Sequence, residues 1–94
     1  MSEFIDTIRV GDVGTSIILD CGLDVSTATV RKIYVRSPTG AKKTWNASAE
    51  GTNSIKYALI EGDIDISGEW ELQSYIEMPG WKGRGTWAVL NVEN

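Results

Sequence analysis

The side chains that could take part in chemistry are thirteen Asp and Glu residues and one cysteine, Cys21, and the chain has no histidine. A cysteine nucleophile needs a neighbouring base, which is usually histidine. Cys21 alternates with the apolar residues Ile17 and Leu19, which predicts a buried, inert thiol. A catalytic carboxylate pair needs a cleft, which a domain of this size does not obviously offer. We therefore expect neither an enzyme nor a cofactor.

One segment copies the first half of a calcium-binding loop. Residues 63–68 have the sequence Asp-Ile-Asp-Ile-Ser-Gly, but the twelfth position, which must supply a bidentate glutamate, holds Ser74. With one cysteine and no histidine, zinc also lacks ligands. We expect no metal, and a tight turn in which Asp65 and Ser67 bond to their own backbone.

The segment 79–85, Pro-Gly-Trp-Lys-Gly-Arg-Gly, carries the clearest pattern for binding. A tryptophan flanked by cations in a glycine-rich loop has the composition of an interface hot spot. Two alternatives are that Trp81 stacks on a sugar ring, or that it folds back over the open end of the domain. The predicted partner-binding residues are Trp81, Lys82, Arg84, Tyr34 and Tyr75.

Composition narrows the class of protein. The chain has 94 residues and a net charge of −4, with 41% hydrophobic residues, which predicts one globular domain spanning residues 1–94. Its negative field repels polyanions, so we expect no nucleic-acid partner. No apolar run approaches the roughly 20 residues of a membrane helix, and no signal peptide is evident. We expect no membrane partner, and synthesis in a cytoplasm.

The elements that position these residues are predicted to be strands, because apolar residues recur with a period of two. Seven strands in a chain of this length indicate an immunoglobulin-like antiparallel β-sandwich, and a small OB-type barrel is the alternative. The segment Leu23–Thr29 has room for one helical turn. The predicted strands are Phe4–Val10, Thr15–Cys21, Val30–Arg36, Lys42–Ala49, Ser54–Ile60, Glu69–Met78 and Gly85–Val92.

Turn chemistry and alternation assign the hairpins and the faces. Ser37–Gly40 places a proline and a glycine where a tight turn needs them, and Glu50–Asn53 closes the next hairpin. The segment 79–85 is predicted to be irregular. Alternation then predicts which residues face the core: Ile17, Leu19, Cys21, Ile33, Val35, Trp45, Ala47, Ile55, Tyr57, Leu59, Trp70, Leu72, Ser74, Ile76, Trp87 and Val89.

The opposite faces of two predicted strands are expected to be solvated. They carry Lys32, Tyr34 and Arg36 on one strand, and Glu69, Glu71, Gln73, Tyr75 and Glu77 on its neighbour. Lys32 and Arg36 are expected to face Glu71 and Glu77, at about 0.2–1 kcal/mol for each exposed pair. The alternative is that the basic hairpin of one subunit docks on an acidic edge of another.

Residues 65–72 are similar to the immunoglobulin run Asp-x-Gly-x-Tyr-x-Cys, with Trp70 at the tyrosine position and Leu72 at the second cysteine position. Cys21 falls about where the first cysteine stands. This resemblance implies an apolar Cys–Leu contact in place of the disulfide, as suits a reducing cytosol.

A longer series of features resembles small bacteriophage structural proteins and the immunoglobulin-like N-terminal domain of the phage baseplate upper protein family. The resemblance implies a β-sandwich that assembles in the tail, baseplate or fibre region with other virion proteins and with copies of itself. Relatives in that family are longer, so a chain that stops at Asn94 is expected to be an adaptor, connector or decoration subunit and not the receptor-binding part. The residues that carry the resemblance are Ile8–Thr15, Leu19–Thr29, Arg36–Gly40, Trp45, Lys56–Tyr57 and Gly62–Gln73.

The expected function is thus a non-enzymatic structural component of a phage virion. A capsid decoration protein and a carbohydrate-binding module that recognises host saccharide are the alternatives. For assembly, we expect the Trp81 loop to act with two exposed edge strands, Phe4–Val10 and Trp87–Val92, which carry no proline and little charge to block pairing with another chain.

Overall fold

The computed structural model describes residues 8–94, and in that range the chain forms nine strands and no helix. One predicted strand, Val30–Arg36, agrees to the residue. The strands are β1 (Ile8–Arg9), β2 (Ser16–Asp20), β3 (Val30–Arg36), β4 (Lys42–Asn46), β5 (Ser48–Glu50), β6 (Ser54–Ala58), β7 (Gly68–Met78), β8 (Trp81–Arg84) and β9 (Ala88–Glu93).

The strands form two sheets. The larger has the order β1-β9-β7-β3-β4, with β8 paired to the second half of β7, and the smaller has the order β2-β6-β5. All pairings are antiparallel except that of β1 with β9, which is parallel. The fold is therefore all-β and sandwich-like, but its larger sheet is mixed, whereas a fully antiparallel sandwich was predicted.

The core is one cluster of apolar side chains drawn from both sheets. Predicted inward faces are confirmed on β2, β3, β4, β6 and β7, where alternate residues are buried or packed against the cluster. Trp70 is the largest fully buried side chain, and its indole N–H donates to the Ile66 carbonyl at 3.0 Å. The loop residues Val25 and Ile64 add to the core.

The predicted strand Lys42–Ala49 is two strands that belong to different sheets. β4 pairs with β3 in the larger sheet, and β5 pairs with β6 in the smaller sheet. Ala47 lies between them, and its N–H still donates to the Arg31 carbonyl at 2.9 Å. The chain thus crosses from one sheet to the other at this residue. Both predicted turns are found, and Gly40 has a φ of 91°, a value that glycine adopts without strain.

The C-terminal third differs most from the prediction. The segment 79–85 is not irregular, because Pro79 and Gly80 form a two-residue turn and β8 then pairs with β7. Trp87 and Val89 were predicted to be buried but are 40% and 58% exposed, while Leu90 and Val92 are each only 4% exposed. The inward alternation of β9 is therefore shifted by one residue from the predicted one.

A β-bulge accounts for this shift. The Gly85 N–H donates to the Ser74 carbonyl at 3.0 Å, and Ala88 is the cross-strand partner of Leu72. On β7, one residue, Gln73, lies between Leu72 and Ser74. Opposite it, two residues, Thr86 and Trp87, lie between Gly85 and Ala88. An extra residue on one strand reverses the alternation of everything after it.

The sheet edges also differ from the prediction. Most of the predicted strand Phe4–Val10 lies outside the described residues, and its described part, β1, pairs with Val92 and Glu93. β9 is therefore flanked by β7 and β1 and is not an edge strand. In Leu23–Thr29 the chain makes turns without a helix, and the Arg31 guanidinium donates to the carbonyl of Val25.

Candidate functional site

Three of the five predicted partner-binding residues meet on the outer face of the larger sheet, the face directed away from the core. The rings of Tyr34 on β3 and Tyr75 on β7 lie 5.4 Å apart between centroids and are tilted by 32°. Arg84 on β8 is the cross-strand partner of Tyr75, and its guanidinium carbon lies 5.9 Å from the centroid of the Tyr34 ring. A cation over a tyrosine ring is a favourable arrangement.

Lys82 shares this outer face, but Trp81 does not. Lys82 is the cross-strand partner of Glu77 and lies two residues nearer than Arg84 to the turn at Pro79 and Gly80. Trp81 is the partner of Met78 and, by alternation, lies on the opposite face. Its indole covers Gly83, because a Cβ at Gly83 would come within 2.6 Å of Trp81 Cζ2.

Trp81 is therefore ordered against its own hairpin, although it remains 45% exposed. This placement is closest to the alternative in which Trp81 folds back. Trp81 cannot form one sugar-stacking platform with Tyr34 or Tyr75, because those rings are on the other side of the sheet.

The groove residue that alternation wrongly assigned to the core is Trp87. The bulge places it on the outer face, where the guanidinium carbon of Arg36 lies 4.6 Å from the centroid of the Trp87 ring. Arg36 also donates to Glu71, with an Nε to Oε1 distance of 2.6 Å. Arg36 is thus held between a carboxylate and an indole.

Of the two charge pairs predicted between β3 and β7, only Arg36–Glu71 is found among the described residues. Lys32 is the partner of Tyr75, and Glu77 accepts a hydrogen bond from the Tyr75 hydroxyl at 2.5 Å. That bond, with smaller contributions from burial and nearby charge, raises the pKa of Tyr75 to about 12. Tyr75 therefore stays neutral at physiological pH.

Tyr34 and Arg84, with Arg36 and Trp87, line an open groove of about 350 Å³ on the outer face. The other three predicted partner-binding residues, Tyr75, Trp81 and Lys82, are not part of its lining. Arg36, Lys42 and Arg84 make its walls basic, although the whole chain carries a net charge of −4. Tyr34, Trp87, Thr44 and Gln73 supply aromatic and polar surface. The groove is built from strands β3, β4, β7 and β8 and from the bulge, so rigid elements position most of it.

Cys21, the side chain that could act as a nucleophile, lies outside the groove and is partly buried. Burial raises the pKa of the Cys21 thiol, the Ser74 hydroxyl opposes this more weakly, and Asp20 adds to the rise. A higher pKa leaves less of the nucleophilic thiolate. The side chain of Cys21 thus has Ser74 as a polar neighbour on β7. Ser74 lies two residues after Leu72, the residue that the resemblance implies as the contact of Cys21.

In the segment that resembles a calcium loop, the predicted bonds of Asp65 and Ser67 to their own backbone are not found among the described residues. Asp63 instead closes the preceding turn, Ile60–Asp63, and its N–H donates to the Ile60 carbonyl at 3.1 Å. The Asp63 carboxylate accepts from the Tyr57 hydroxyl at 2.6 Å and from the Ile60 N–H at 2.8 Å. Lys43 Nζ donates to the Asp63 carbonyl at 3.0 Å. Among the described residues, no group of three or more His, Cys, Asp or Glu side chains is placed to hold a metal ion.

The fold and this surface define a small all-β, sandwich-like domain with a basic and aromatic groove on the outer face of one sheet. Comparison with protein-family models, with curated proteins and with solved structures finds no significant match. Within residues 8–94 there is no helix that is long and apolar enough to span a bilayer.

Proposed function

We propose that this chain is a non-enzymatic module that assembles with other proteins through the outer face of its larger sheet. The observation that carries the proposal is the groove, which gathers exposed and partly exposed aromatic and cationic side chains on an otherwise acidic protein. Tryptophan, tyrosine and arginine are the residues most enriched at interface hot spots.

The order already present in the groove supports this proposal. Arg36 is fixed by Glu71 and Trp87, and Arg84 lies over Tyr34. Side chains that are positioned before a partner arrives lose less conformational entropy when it binds. The placement on strands, in contrast to the mobile Trp81 loop expected from the sequence, favours a defined partner.

We further propose that the sandwich is of the immunoglobulin type. Strands β2-β6-β5 opposite β9-β7-β3 have the order B-E-D opposite G-F-C, and β4 stands where variable-type domains add a strand next to C. The bond from the Trp70 indole to Ile66, four residues upstream, is of the kind made by a tyrosine corner. Both observations support the finer assignment.

We also propose a biological setting for the module. It is an adaptor in the tail, baseplate or fibre region of a bacteriophage virion and is present in several copies. The support is the ordered sequence resemblance between Ile8 and Gln73. The alternative is that the chain is a decoration protein on the capsid.

Mass spectrometry of particles purified with and without tails tests this proposal. We expect the chain in tailed particles and its loss when tails are removed. Retention on tail-free capsids would favour the decoration role, and absence from both preparations would refute a virion component. A Trp87→Ala/Arg84→Gln variant should fold but fail to incorporate, whereas Arg9→Gln, which changes an exposed arginine at the sheet edge, should incorporate normally.

A further inference from the structure

We infer that the groove binds an acidic peptide segment of a partner protein and that Gln73 is the central polar contact. This inference rests on the proposed assembly function and specifies the chemistry of the partner. It is carried by one buried polar atom, Gln73 Oε1, which has no hydrogen-bond partner within residues 8–94, and by two groove cations on either side of it that form no ion pair with the described residues.

Gln73 lies on the floor of the groove and is only 9% exposed. Its Nε2 donates to the Gly85 carbonyl at 2.9 Å, and this fixes the orientation of the amide because a carbonyl can only accept. The other amide atom, Oε1, is buried and has no hydrogen-bond partner within residues 8–94. Buried acceptors are normally satisfied, so Gln73 Oε1 calls for a donor from outside residues 8–94, and a ligand bound in the groove would supply one.

Cations stand on both sides of this acceptor. Tyr34 is the cross-strand partner of both Gln73 and Thr44, and together they form an uncharged row across the sheet. Lys42 lies two residues from Thr44 on one side of the row, and Arg84 lies on the other side over Tyr34.

Arg36 is neutralised by Glu71, but Lys42 and Arg84 have no acidic side chain within salt-bridge distance in the described part of the chain. The groove therefore attracts an anionic group that also brings a hydrogen-bond donor.

A peptide fits these requirements better than a sugar or a nucleic acid does. Sugars and bases bind to open aromatic faces, but Tyr34 is covered by Tyr75 and Arg84, and Arg36 lies over Trp87. The net charge of −4 also opposes a nucleic acid. A peptide supplies a backbone N–H for Gln73 Oε1 and an Asp or Glu carboxylate for Arg84 and Lys42, in charge-assisted hydrogen bonds.

Titration of the full chain by NMR tests the inference with two capped probe peptides, one with four consecutive glutamates and one with four glutamines. We expect the glutamate peptide to shift the side-chain N–H signals of Gln73, Arg84 and Trp87, and the glutamine peptide to bind at least about tenfold more weakly. Arg84→Gln should weaken binding of the glutamate peptide by about tenfold. The matched control Arg9→Gln should bind like the wild type.

Gln73→Met removes the acceptor and should also weaken binding, provided that the variant's spectrum remains that of a folded protein. If Gln73→Met unfolds the domain, Arg84→Gln and Lys42→Gln still decide the matter. Equal binding of the two peptides, or unchanged affinity in Arg84→Gln, would overturn the inference. So would tighter binding of a uronic-acid oligosaccharide or an oligodeoxynucleotide at the same signals.

This experiment and the particle experiment fail independently. If no peptide binds but the Trp87→Ala/Arg84→Gln variant is lost from particles, the assembly function stands and the acidic-peptide inference falls. If the glutamate peptide binds as expected and the chain is absent from particles, the virion role falls and the groove assignment stands.

Discussion

Alanine at Trp70 and alanine at Trp87 should have very different effects on stability. Trp70 is fully buried between the sheets, and its indole satisfies the Ile66 carbonyl. Trp87 is 40% exposed on the outer face and contacts Arg36. Alternation along Glu69–Met78 predicted that Trp70 would be buried, and alternation from Gly85 predicted the same of Trp87, so the pair of variants tests the bulge directly.

The expected magnitudes follow from these environments. Trp70→Ala removes a large core side chain and should cost about 3–5 kcal/mol. Domains of this size are stable by roughly 5–15 kcal/mol, so this variant should be largely or wholly unfolded under mild denaturant. Trp87→Ala loses a cation–π contact and part of an indole's contact area, for a cost of about 1 kcal/mol. The ratio of the two costs is therefore about three or more.

Denaturation by guanidinium, followed by far-ultraviolet circular dichroism, measures both variants without depending on the fluorophore that each removes. Equal denaturant slopes would show that the two unfold the same surface. Trp70→Phe should fall in between, because it keeps an aromatic ring but leaves the Ile66 carbonyl without its donor. Costs for Trp70→Ala and Trp87→Ala that agree within about 1 kcal/mol would refute the face assignment of β9, since the argument rests on the contrast between a core and a surface environment.

Three further measurements test other parts of the structure. Excess chelator should leave Tm unchanged, because Asp63 bonds to Tyr57 and Ile60 instead of joining a ligand cluster; a drop of several degrees that calcium reverses would contradict this. Burial, together with the bond to Asp63, raises the pKa of Tyr57 from its ordinary value of 10.0 to about 12. The folded state therefore favours neutral Tyr57, and this stabilisation should be complete below pH 10 and lost as pH rises toward 12. Tyr57→Phe should show a smaller loss over that range, and equal pH profiles for the two proteins would count against the Tyr57–Asp63 bond. Gly83→Ala should push the Trp81 indole off the hairpin, because the new methyl group would overlap its ring; increased quenching of Trp81 fluorescence by acrylamide, in a protein that stays folded, is the expected result.

The sequence was sufficient for the central strands because each of them buries one face. On β3, Ile33 and Val35 are buried while Lys32, Tyr34 and Arg36 are partly exposed, so a period of two is visible in the residue types. The turn Ser37–Gly40 then fixed the β3–β4 register through proline and glycine chemistry. The predicted core of β2, β4, β6 and β7 follows from the same two principles.

The division of Lys42–Ala49 between two sheets could not be predicted from alternation. The period of two continues through Trp45 and Ala47, since Trp45 on β4 and Ala47 at the crossing both pack against the same core. Alternation reports which face is buried and contains no information about which sheet a residue joins. That choice depends on tertiary pairing with β3 or with β6.

The candidate site was only partly predictable for a related reason. Tyr34, Tyr75 and Arg84 meet because β3, β7 and β8 are neighbours, and the sequence indicated a β3–β7 neighbourhood but treated 79–85 as a loop. In an ordered hairpin, adjacent residues must point to opposite faces. Trp81 is therefore separated from Lys82, even though the two are consecutive in the sequence.

The error at β9 and the missed residue Trp87 have a single cause. Counting forward from Gly85 places Val89 and Asn91 inside, whereas counting back from the C-terminus places Leu90 and Val92 inside and leaves Asn91 and Glu93 in solvent. The two counts disagree by one residue, and only an extra residue between Gly85 and Ala88 reconciles them. Bulges commonly redirect side chains next to functional sites. Here the bulge turns Trp87 from the core to the outer face, where it completes the wall of the groove beside Arg36. The conflict between the two alternations was therefore present in the sequence, and it marks the position at which the fold departs from a regular hairpin and brings Trp87 into the groove.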